Sequence, residues 1–408
     1  MRKKNNNLGG ILLVPGTCIG AGMIGVPVKT AAAGFYPTML AFLVVWIVMT
    51  LTALLFMEIS LAFKGENNFI SMVKAILGDT YKNIAWFVYI LLMYSIMAAY
   101  TSGGITIMNQ IMPMNYYLTI LVFLLPFAFI VYLGSRIIDF ANRLLTIGLI
   151  VSFILLCAGT ILFDSDSLQS TNNFSVVGDY KILLFALPIL VTTFGYHMII
   201  PSLKSYLQDE IMPLKKSILI GGAIPLIVYV IWQLVILLLI PVLGDDGLLS
   251  MLLSKKNPAD SLINYLMLHG QNKRILVCII FFSFCALTSS LIGVAWALGD
   301  FLADGLKVLK NTKGKIFLSC LTFIPPVIYS VCFPQGFLKA LGMAGVFCSI
   351  ITIIYPALMV LKLRNKKFIF HPNLIDNVTY KAPISNKSII AILLFGVLIV
   401  VIECINNI

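Results

Sequence analysis

The chain has 408 residues, of which 60% are hydrophobic and only 11% are charged, and its mean hydropathy is +1.02. A soluble domain with this composition would have too little polar surface to cover its core. The composition therefore excludes a soluble protein and predicts an integral membrane protein.

Apolar stretches long enough to cross a bilayer recur along the whole chain. A helical span needs about 20 mostly apolar residues to cross about 30 Å of hydrocarbon. These stretches are too long for the strands of an outer-membrane barrel, which are about 10 residues of alternating pattern. The predicted fold class is therefore all-α integral membrane. Eleven spans, numbered 1 to 11, are predicted at 11–33, 36–63, 84–109, 116–134, 144–163, 182–203, 216–242, 274–299, 315–333, 336–361 and 388–405.

The net charge of +12 is distributed unevenly between the two ends of the predicted bundle. If the amino terminus is cytoplasmic, most of the basic residues fall in cytoplasmic segments, whereas the 164–180 loop on the other side is acidic. This positive-inside pattern predicts a cytoplasmic amino terminus and an external carboxyl terminus. The excess charge is thus an orientation signal, and no nucleic-acid partner is expected.

Span 1 is predicted to be retained, although it begins like a signal peptide. It follows a basic start, but no cleavage site closes it and its apolar character continues. The eight cysteines all fall in apolar spans and include no C-x-x-C pair, so we expect no disulfide framework. We also expect no metal site and no cofactor.

The glycines of "GTCIGAGMIGVP", residues 16–27, have the G-x-G-x-x-G spacing of a dinucleotide-binding turn. That motif needs a strand before it, a soluble helix after it and an acidic residue about 20 positions on, and the first acid here is Glu58. Inside a membrane span, this density of glycine and proline instead favours an unwound segment that lines a cavity. The alternative is a packing face of small residues.

Span 6 contains a second interruption of the same kind, "TTFGYHMIIPSL". A shift of 175 positions places Gly20 on Gly195 and Met23 on Met198, with a proline just beyond in each case. Paired interruptions in corresponding spans are typical of transporter binding sites. Because five spans precede the second interruption, the second repeat is predicted to insert upside down relative to the first.

An interrupted helix presents unpaired N–H groups at one end and unpaired carbonyls at the other. An amino-acid zwitterion needs both, because its carboxylate takes N–H donors and its ammonium takes carbonyl acceptors. The two stretches together therefore predict a binding site for a small-molecule amino acid.

Two loops have helical apolar faces. Residues 65–82 place Phe69, Val73, Ile76 and Leu77 on one face and predict a cytoplasmic surface helix. Residues 259–270 predict an external counterpart.

Stretches in every part of the chain resemble the hydroxy and aromatic amino acid permeases, and within them the tyrosine and tryptophan permeases. The most similar stretches are "GTCIGAGMIGVP", "MYSIMAAYTSG" (93–103), "DFANR" (139–143), "FGYHMIIPSL" (194–203), "IGGAIPLIVYVIWQ" (220–233) and "FPQGFLKALGMAGV" (333–346). The resemblance implies the amino acid, polyamine and organocation superfamily and its leucine-transporter fold. It also implies import of aromatic amino acids across the bacterial inner membrane by cation symport, generally with protons.

That fold implies one transporter domain over residues 1–408. It consists of five-helix repeats at 11–163 and 182–361, followed by an eleventh helix at 388–405. The resemblance places substrate between spans 1, 3, 6 and 8. The implied substrate-binding residues are Gly16, Thr17, Gly20, Gly22, Tyr94, Met97, Tyr100, Phe194, Gly195, Tyr196, His197, Thr288 and Ser289. This chain departs from the family pattern at Tyr196, where phenylalanine is usual, and at Lys29, where a small residue is expected.

Two coupling ions are compatible with the sequence. The stretch "CALTSSLIG" resembles the sodium-binding part of span 8 in sodium-coupled members of the fold, and the implied oxygen cage is Gly16, Ile19, Cys285, Thr288 and Ser289. His197 and Glu58, as ionisable groups in spans, are candidates for a proton relay or a gate. Protons are preferred on the resemblance, and sodium remains the alternative.

Three other functions compete with aromatic amino acid import. A serine or threonine permease of the same family is the closest alternative. An integral-membrane enzyme would need clustered catalytic groups at membrane depth, whereas such groups here are scattered. A channel would show a filter or a charged pore repeat, and the sequence shows neither.

Overall fold

The computed structural model describes residues 7–30, 33–65, 68–163, 180–254, 258–269, 273–309, 311–365 and 380–406. Its secondary-structure elements there are helices. The acidic loop predicted on the external side lies, except for residue 180, outside the described residues.

All eleven predicted spans correspond to apolar helices in the described part of the chain. Span 1 is a bent pair of helices, Asn7–Cys18 (1a) and Gly22–Thr30 (1b), and span 6 consists of Tyr180–Thr193 (6a) and Ile200–Tyr206 (6b) joined by a short 3₁₀ turn. The others are span 2 Phe35–Leu61, span 3 Asp79–Ile111, span 4 Tyr116–Leu133, span 5 Ser135–Phe163, span 7 Ile211–Leu239, span 8 Lys273–Gly305, span 9 Thr312–Cys332, span 10 Phe337–Arg364 and span 11 Asn386–Asn406.

Several spans extend further than the apolar pattern predicts. Span 5 begins at Ser135 rather than 144, directly after Gly134, whose φ of 102° makes the tight turn from span 4. Its first turns are polar, and the pair Asp139 and Arg143, four residues apart, stabilises them. Hydropathy marks the part of a helix in lipid, whereas the helix itself continues into the polar boundary.

The spans differ in how deeply they are enclosed. In span 10, 72% of the most apolar stretch is buried, compared with 11% in span 5. Span 10 therefore runs through the interior, and span 5 presents most of its side chains to lipid.

Among the described residues, three short helices lie outside the spans. The predicted surface helix is present as Phe69–Leu77, with Asn68 capping it by accepting from the Ser71 N–H at 2.8 Å. Its apolar face is buried in the protein, where Phe69 packs edge-on against Tyr355 of span 10. The predicted external helix is present as Pro258–His269, and Leu248–Leu253 is an additional short helix before it.

Candidate functional site

Span 1 is interrupted for three residues at its middle, residues 19–21. Helix 1a ends at Cys18, helix 1b begins at Gly22, and the two differ in direction by 57°. The first turn of 1b is closed by the Met23 N–H donating to the Gly20 carbonyl at 3.0 Å. The N–H groups of Ala21 and Gly22 precede that turn and have no helical acceptor.

Side chains from spans 7 and 8 satisfy the carbonyls that this interruption releases. The Tyr229 hydroxyl donates to the Cys18 carbonyl at 3.0 Å, and the Ser290 hydroxyl donates to the Ile19 carbonyl at 3.0 Å. Since an unsatisfied backbone group costs several kcal/mol in a bilayer, these donors make the unwound segment stable.

A third donor compensates for a proline. In 1b the Met23 carbonyl would normally accept from the N–H four residues later, but that residue is Pro27, which has none. The indole N–H of Trp232 in span 7 donates to the Met23 carbonyl instead. Trp232 is fully buried, so its indole N–H needs this acceptor as much as the carbonyl needs the donor.

Span 6 is interrupted at the corresponding place. Helix 6a ends at Thr193, residues 194–196 are not helical, and a 3₁₀ turn at His197–Ile199 leads into 6b. The unwound residues of span 1, 19–21, lie 175 positions earlier, which is the spacing that the sequence motifs predict. Span 6 loses its helical bonding there without the sharp bend of span 1.

The two interruptions lie against each other. Gly22, at the start of 1b, packs against the Thr193 side chain at the end of 6a, and a Cβ at Gly22 would also lie 2.6 Å from the Tyr229 hydroxyl. The Phe194 ring packs edge-on against Tyr229 at 5.8 Å. The amino-terminal end of 1b and the carboxyl-terminal end of 6a are therefore neighbours.

Span 3 closes this cluster from another side. A Cβ at Gly20 would lie 2.8 Å from the Tyr100 hydroxyl and 2.9 Å from the Ser290 hydroxyl. The structure thus brings together four of the predicted site residues: Gly20, Gly22, Tyr100 and Phe194. Gly195 lies in the second interruption, where a Cβ would meet Cys348 Sγ of span 10 at 2.8 Å.

Other predicted residues point elsewhere. The Tyr94 hydroxyl donates to the Leu321 carbonyl of span 9 at 2.9 Å. The Tyr196 hydroxyl lies against Gly222 of span 7 and has no hydrogen-bond partner among the described residues. Met97 is fully buried in the core, whereas Gly16 and Thr17 are exposed on 1a.

His197 faces span 2. Its Nε2 lies 2.8 Å from Thr52 Oγ1, which also lies 3.0 Å from the Met49 carbonyl. The hydroxyl and Nε2 share one hydrogen bond, whose direction is set by the tautomer of the imidazole. The other ring nitrogen, Nδ1, is buried without a partner in the described part of the chain.

The predicted cation ligands bond mainly to their own helix. Thr288 Oγ1 donates to the Phe284 carbonyl at 2.6 Å, and lies 3.5 Å from the Cys285 carbonyl. Ser289 donates to the Ala286 carbonyl at 3.3 Å. The Ile19 carbonyl accepts from Ser290, the next residue along span 8.

A cavity of about 760 Å³ lies alongside 6b, at the end of the bundle where the basic residues are concentrated. It begins at Met198, in the 3₁₀ turn, and runs along 6b past Ser202 and Ser205. Its opposite wall is aromatic and comes from spans 3 and 8 and the inner surface helix: Tyr89, Phe301 and Phe69.

Known proteins share this sequence over nearly its whole length. The profile of the tryptophan/tyrosine permease family matches residues 3–403. This chain belongs to the tryptophan/tyrosine permease family. Tyrosine-specific transport system 1 of Haemophilus influenzae is 31% identical, with 97% of this chain and 96% of that protein aligned. The tryptophan-specific transport protein of the same species is 30% identical, with 98% of this chain and 96% of that protein aligned. The low affinity tryptophan permease of Escherichia coli is 28% identical over 89% of each.

Family membership confirms four of the predictions. The suspected family is the one that matches, and the protein is a permease rather than an enzyme. It is a multi-pass protein of the bacterial inner membrane, and its small-molecule substrate and lipid surroundings follow from the family.

The permease holds Glu58 in an ion pair. Arg364 of span 10 binds both oxygens of this carboxylate, with Nε–Oε1 at 2.8 Å and Nη2–Oε2 at 2.6 Å. The Ala382 N–H also donates to Oε2 at 2.8 Å, and both side chains are at most 8% exposed. Glu58 thereby joins the inner ends of spans 2 and 10 to the segment before span 11.

Lys204 of the permease is a second buried charge. In the sequence it counts only as one of the basic residues that predict the orientation. Its ammonium donates to the carbonyls of Phe63 at 2.8 Å and Gly65 at 3.2 Å, just past the end of span 2. A cation is favoured there because the last carbonyls of a helix carry partial negative charge. The sequence signal for this buried charge is the position of Lys204, only three residues beyond the apolar "MIIP" of span 6.

Proposed function

We propose that this permease imports aromatic amino acids, tyrosine or tryptophan, by proton symport. The contact between the start of 1b and the end of 6a carries the proposal. The N–H end of one half-helix and the carbonyl end of another lie side by side there, with Gly22 packed on Thr193. A zwitterion matches this pair of half-helix ends, because its carboxylate complements the first and its ammonium the second.

Glycine is needed at both interruption positions of span 1 because neighbouring side chains pack directly on the main chain. Gly20 and Gly22 let the Tyr100 and Tyr229 hydroxyls approach the main chain closely. Any side chain at these positions would collide with those neighbours and displace the main-chain groups that the substrate is proposed to bind.

The cavity wall supports an aromatic substrate over a small hydroxy amino acid. Tyr89 and Phe301 lie 4.6 Å apart and face the hydroxyls of Ser202 and Ser205 on 6b. A volume of about 760 Å³ lined by aromatic rings and serine hydroxyls is large enough for an aromatic side chain on its way to or from the interruptions. The names of the relatives, which are tyrosine-specific and tryptophan-specific transport proteins, agree with this choice.

Alternating access is proposed to follow the leucine-transporter arrangement of two inverted five-helix repeats. The equal spacing of the two interruptions supports this pseudo-symmetry. With the amino terminus inside, the cavity opens to the cytoplasm, so the described conformation is proposed to be inward-open. Transport would then proceed by one group of spans rocking against the other around the fixed site.

Protons remain the proposed coupling ion in preference to sodium. The hydroxyls of Thr288 and Ser289 bond within span 8, and the Ile19 carbonyl already accepts from Ser290. These oxygens would have to change partners to coordinate a cation. His197 and Glu58 stay the candidates for proton handling or gating.

Uptake into proteoliposomes tests the proposal. We expect saturable, counterflow-competent accumulation of labelled tyrosine or tryptophan, driven by an imposed proton gradient and not by a sodium gradient. Phenylalanine and serine serve as competing substrates. Preferential serine uptake would establish the serine/threonine alternative, and non-saturable flux would indicate a channel.

A further inference from the structure

A second cavity, of about 400 Å³, lies at the same inner end of the bundle but on another side of span 8. It is enclosed by the turn from span 4 to span 5 and by the inner ends of spans 8 and 9, and it shares no lining residue with the transport cavity. We propose that it binds the headgroup of one anionic phospholipid, phosphatidylglycerol.

Charge determines the class of ligand. Arg136 and Lys315 line the cavity together with one carboxylate, Asp300, so these three side chains sum to one positive charge. A guanidinium binds a phosphodiester through two parallel hydrogen bonds, and Lys315 adds a point charge. The carboxylate can accept hydrogen bonds from the glycerol hydroxyls of the headgroup. A phosphatidylglycerol headgroup, with one negative charge, therefore complements all three.

The start of span 5 adds main-chain donors at the cavity. The Ile137 and Ile138 N–H groups donate to the Gly134 carbonyl at 3.2 Å each. The N–H groups of Ser135 and Arg136 come before this turn and have no helical acceptor. Both residues line the cavity, so this helix end favours an anion there.

Thr322 provides independent evidence of a ligand. It lines the cavity and is fully buried, yet its hydroxyl has no partner among the described residues. Other helical threonines in the chain donate to the carbonyl four residues earlier, as Thr30 and Thr146 do. Unlike the other unpartnered hydroxyls of the described residues, that of Thr322 belongs to a residue that lines a cavity, where a bound group can supply its partner.

Gly299 keeps the space beside Thr322 open. A Cβ at Gly299 would meet only Thr322 Oγ1, at 3.7 Å, so a small side chain fits and a longer one would enter the cavity. Span 9 presents Lys315, Ser319 and Thr322 to the cavity at helical spacing, so the polar groups form one continuous strip.

The surroundings favour a lipid over a free phosphate ester. Apolar side chains on the neighbouring spans, Phe129, Leu133 and Ile316, are exposed on the surface of the protein. Acyl chains can lie along these side chains while the headgroup occupies the cavity. The predicted orientation places the cavity at the cytoplasmic leaflet, where basic pockets between helices bind anionic headgroups.

Native mass spectrometry of the purified full-length permease, titrated with phosphatidylglycerol, tests the proposal. We expect one tightly bound lipid, and we expect Arg136→Gln combined with Lys315→Gln to weaken it about 30-fold. Gly299→Leu is expected to abolish it by filling the cavity, and Thr322→Val to weaken it. Lys313→Gln is the matched control, because Lys313 is exposed on the same helix outside the cavity and should leave affinity unchanged.

Three outcomes would overturn the proposal. The first is equal phosphatidylglycerol affinity in the wild type, the double variant and Gly299→Leu, with thermal unfolding confirming that each is folded. The second is equally tight binding of phosphatidylethanolamine, which would remove the charge argument. The third is binding of soluble glycerol phosphate as tight as that of the lipid, which would identify a phosphate site to which the acyl chains contribute nothing.

Discussion

The Met23 carbonyl needs a hydrogen-bond donor from a distant part of the chain because a proline lies four residues after it. Pro27 removes its helical partner, and Trp232, in span 7, replaces it. Similarly, the released Cys18 and Ile19 carbonyls are held by Tyr229 and Ser290. The shape of the proposed site therefore depends on side chains that do not belong to either interrupted span.

Trp232→Phe should lower the free energy of unfolding by about 1–3 kcal/mol, because it leaves the buried Met23 carbonyl without a donor. The loss should be smaller when Pro27→Ala is also present, since the alanine N–H can then bond that carbonyl. Thermal unfolding of the four proteins in lipid nanodiscs measures this double-mutant cycle. Equal losses in both backgrounds would contradict the compensation of Pro27 by Trp232.

His197 is expected to act as a positioning residue through Thr52, since its imidazole faces span 2. Both His197→Ala and Thr52→Val should raise the KM for uptake, because each frees the turn that follows the second interruption. The pH profile of uptake is measured with the same variants. If neither KM nor the pH profile of His197→Ala changes, His197 contributes only to packing.

At the scale of the element, Glu58 and Arg364 connect spans 2 and 10, which lie far apart in the chain, to the segment before span 11. Breaking a buried pair leaves an unpaired charge and typically costs about 3–5 kcal/mol. Tyr380, two residues before Ala382, lies close to this ion pair. Burial raises the pKa of its hydroxyl, the negative charge of Glu58 raises that pKa further, and the positive charge of Arg364 lowers it.

Glu58→Gln and Arg364→Lys should each lower the melting temperature strongly, the second because an ammonium cannot reproduce the bidentate contact. Asp139→Asn is the matched control, since the Asp139 and Arg143 side chains are 62% and 76% exposed and exposed pairs contribute little. Comparable effects at both pairs would contradict the structural role of Glu58.

The sequence predicted the elements better than the directions of their side chains. Hydropathy located every span, and glycine and proline density located both interruptions, because lipid allows unwound backbone only at special positions. Side-chain directions are harder to predict, because one residue along a helix turns the side chain by about 100°.

This rotation is why Ser290, rather than the predicted Thr288 or Ser289, reaches the interruption of span 1. The pairing of Trp232 with Met23 depends on packing between spans, which no local pattern encodes.

At the scale of the whole molecule, the transport cavity and the basic residues lie at the same end. The positive-inside rule predicts that this end is cytoplasmic. The proposed inward-open conformation therefore rests on the orientation of the chain together with the course of the cavity along 6b.

Ser202→Cys should react with a membrane-impermeant thiol reagent in inside-out vesicles and not in right-side-out vesicles. The exposed cysteines 320, 332 and 404 are replaced by serine in this background. Ser349→Cys, at a fully buried position in span 10, is the control and should stay unlabelled. Reaction of Ser202→Cys from the external side alone would contradict the proposed orientation.

The central claim is that the main chain at the two interruptions holds the substrate. Equilibrium binding of labelled tyrosine and tryptophan to purified wild type, Gly22→Val, Gly195→Val and Gly293→Val tests it most directly. A Cβ at Gly293 would meet nothing within 4 Å, so that variant controls for a valine in a helix. We predict that Gly22→Val and Gly195→Val abolish binding and uptake at normal membrane expression, while Gly293→Val retains both. Wild-type affinity in Gly22→Val and Gly195→Val would contradict the claim.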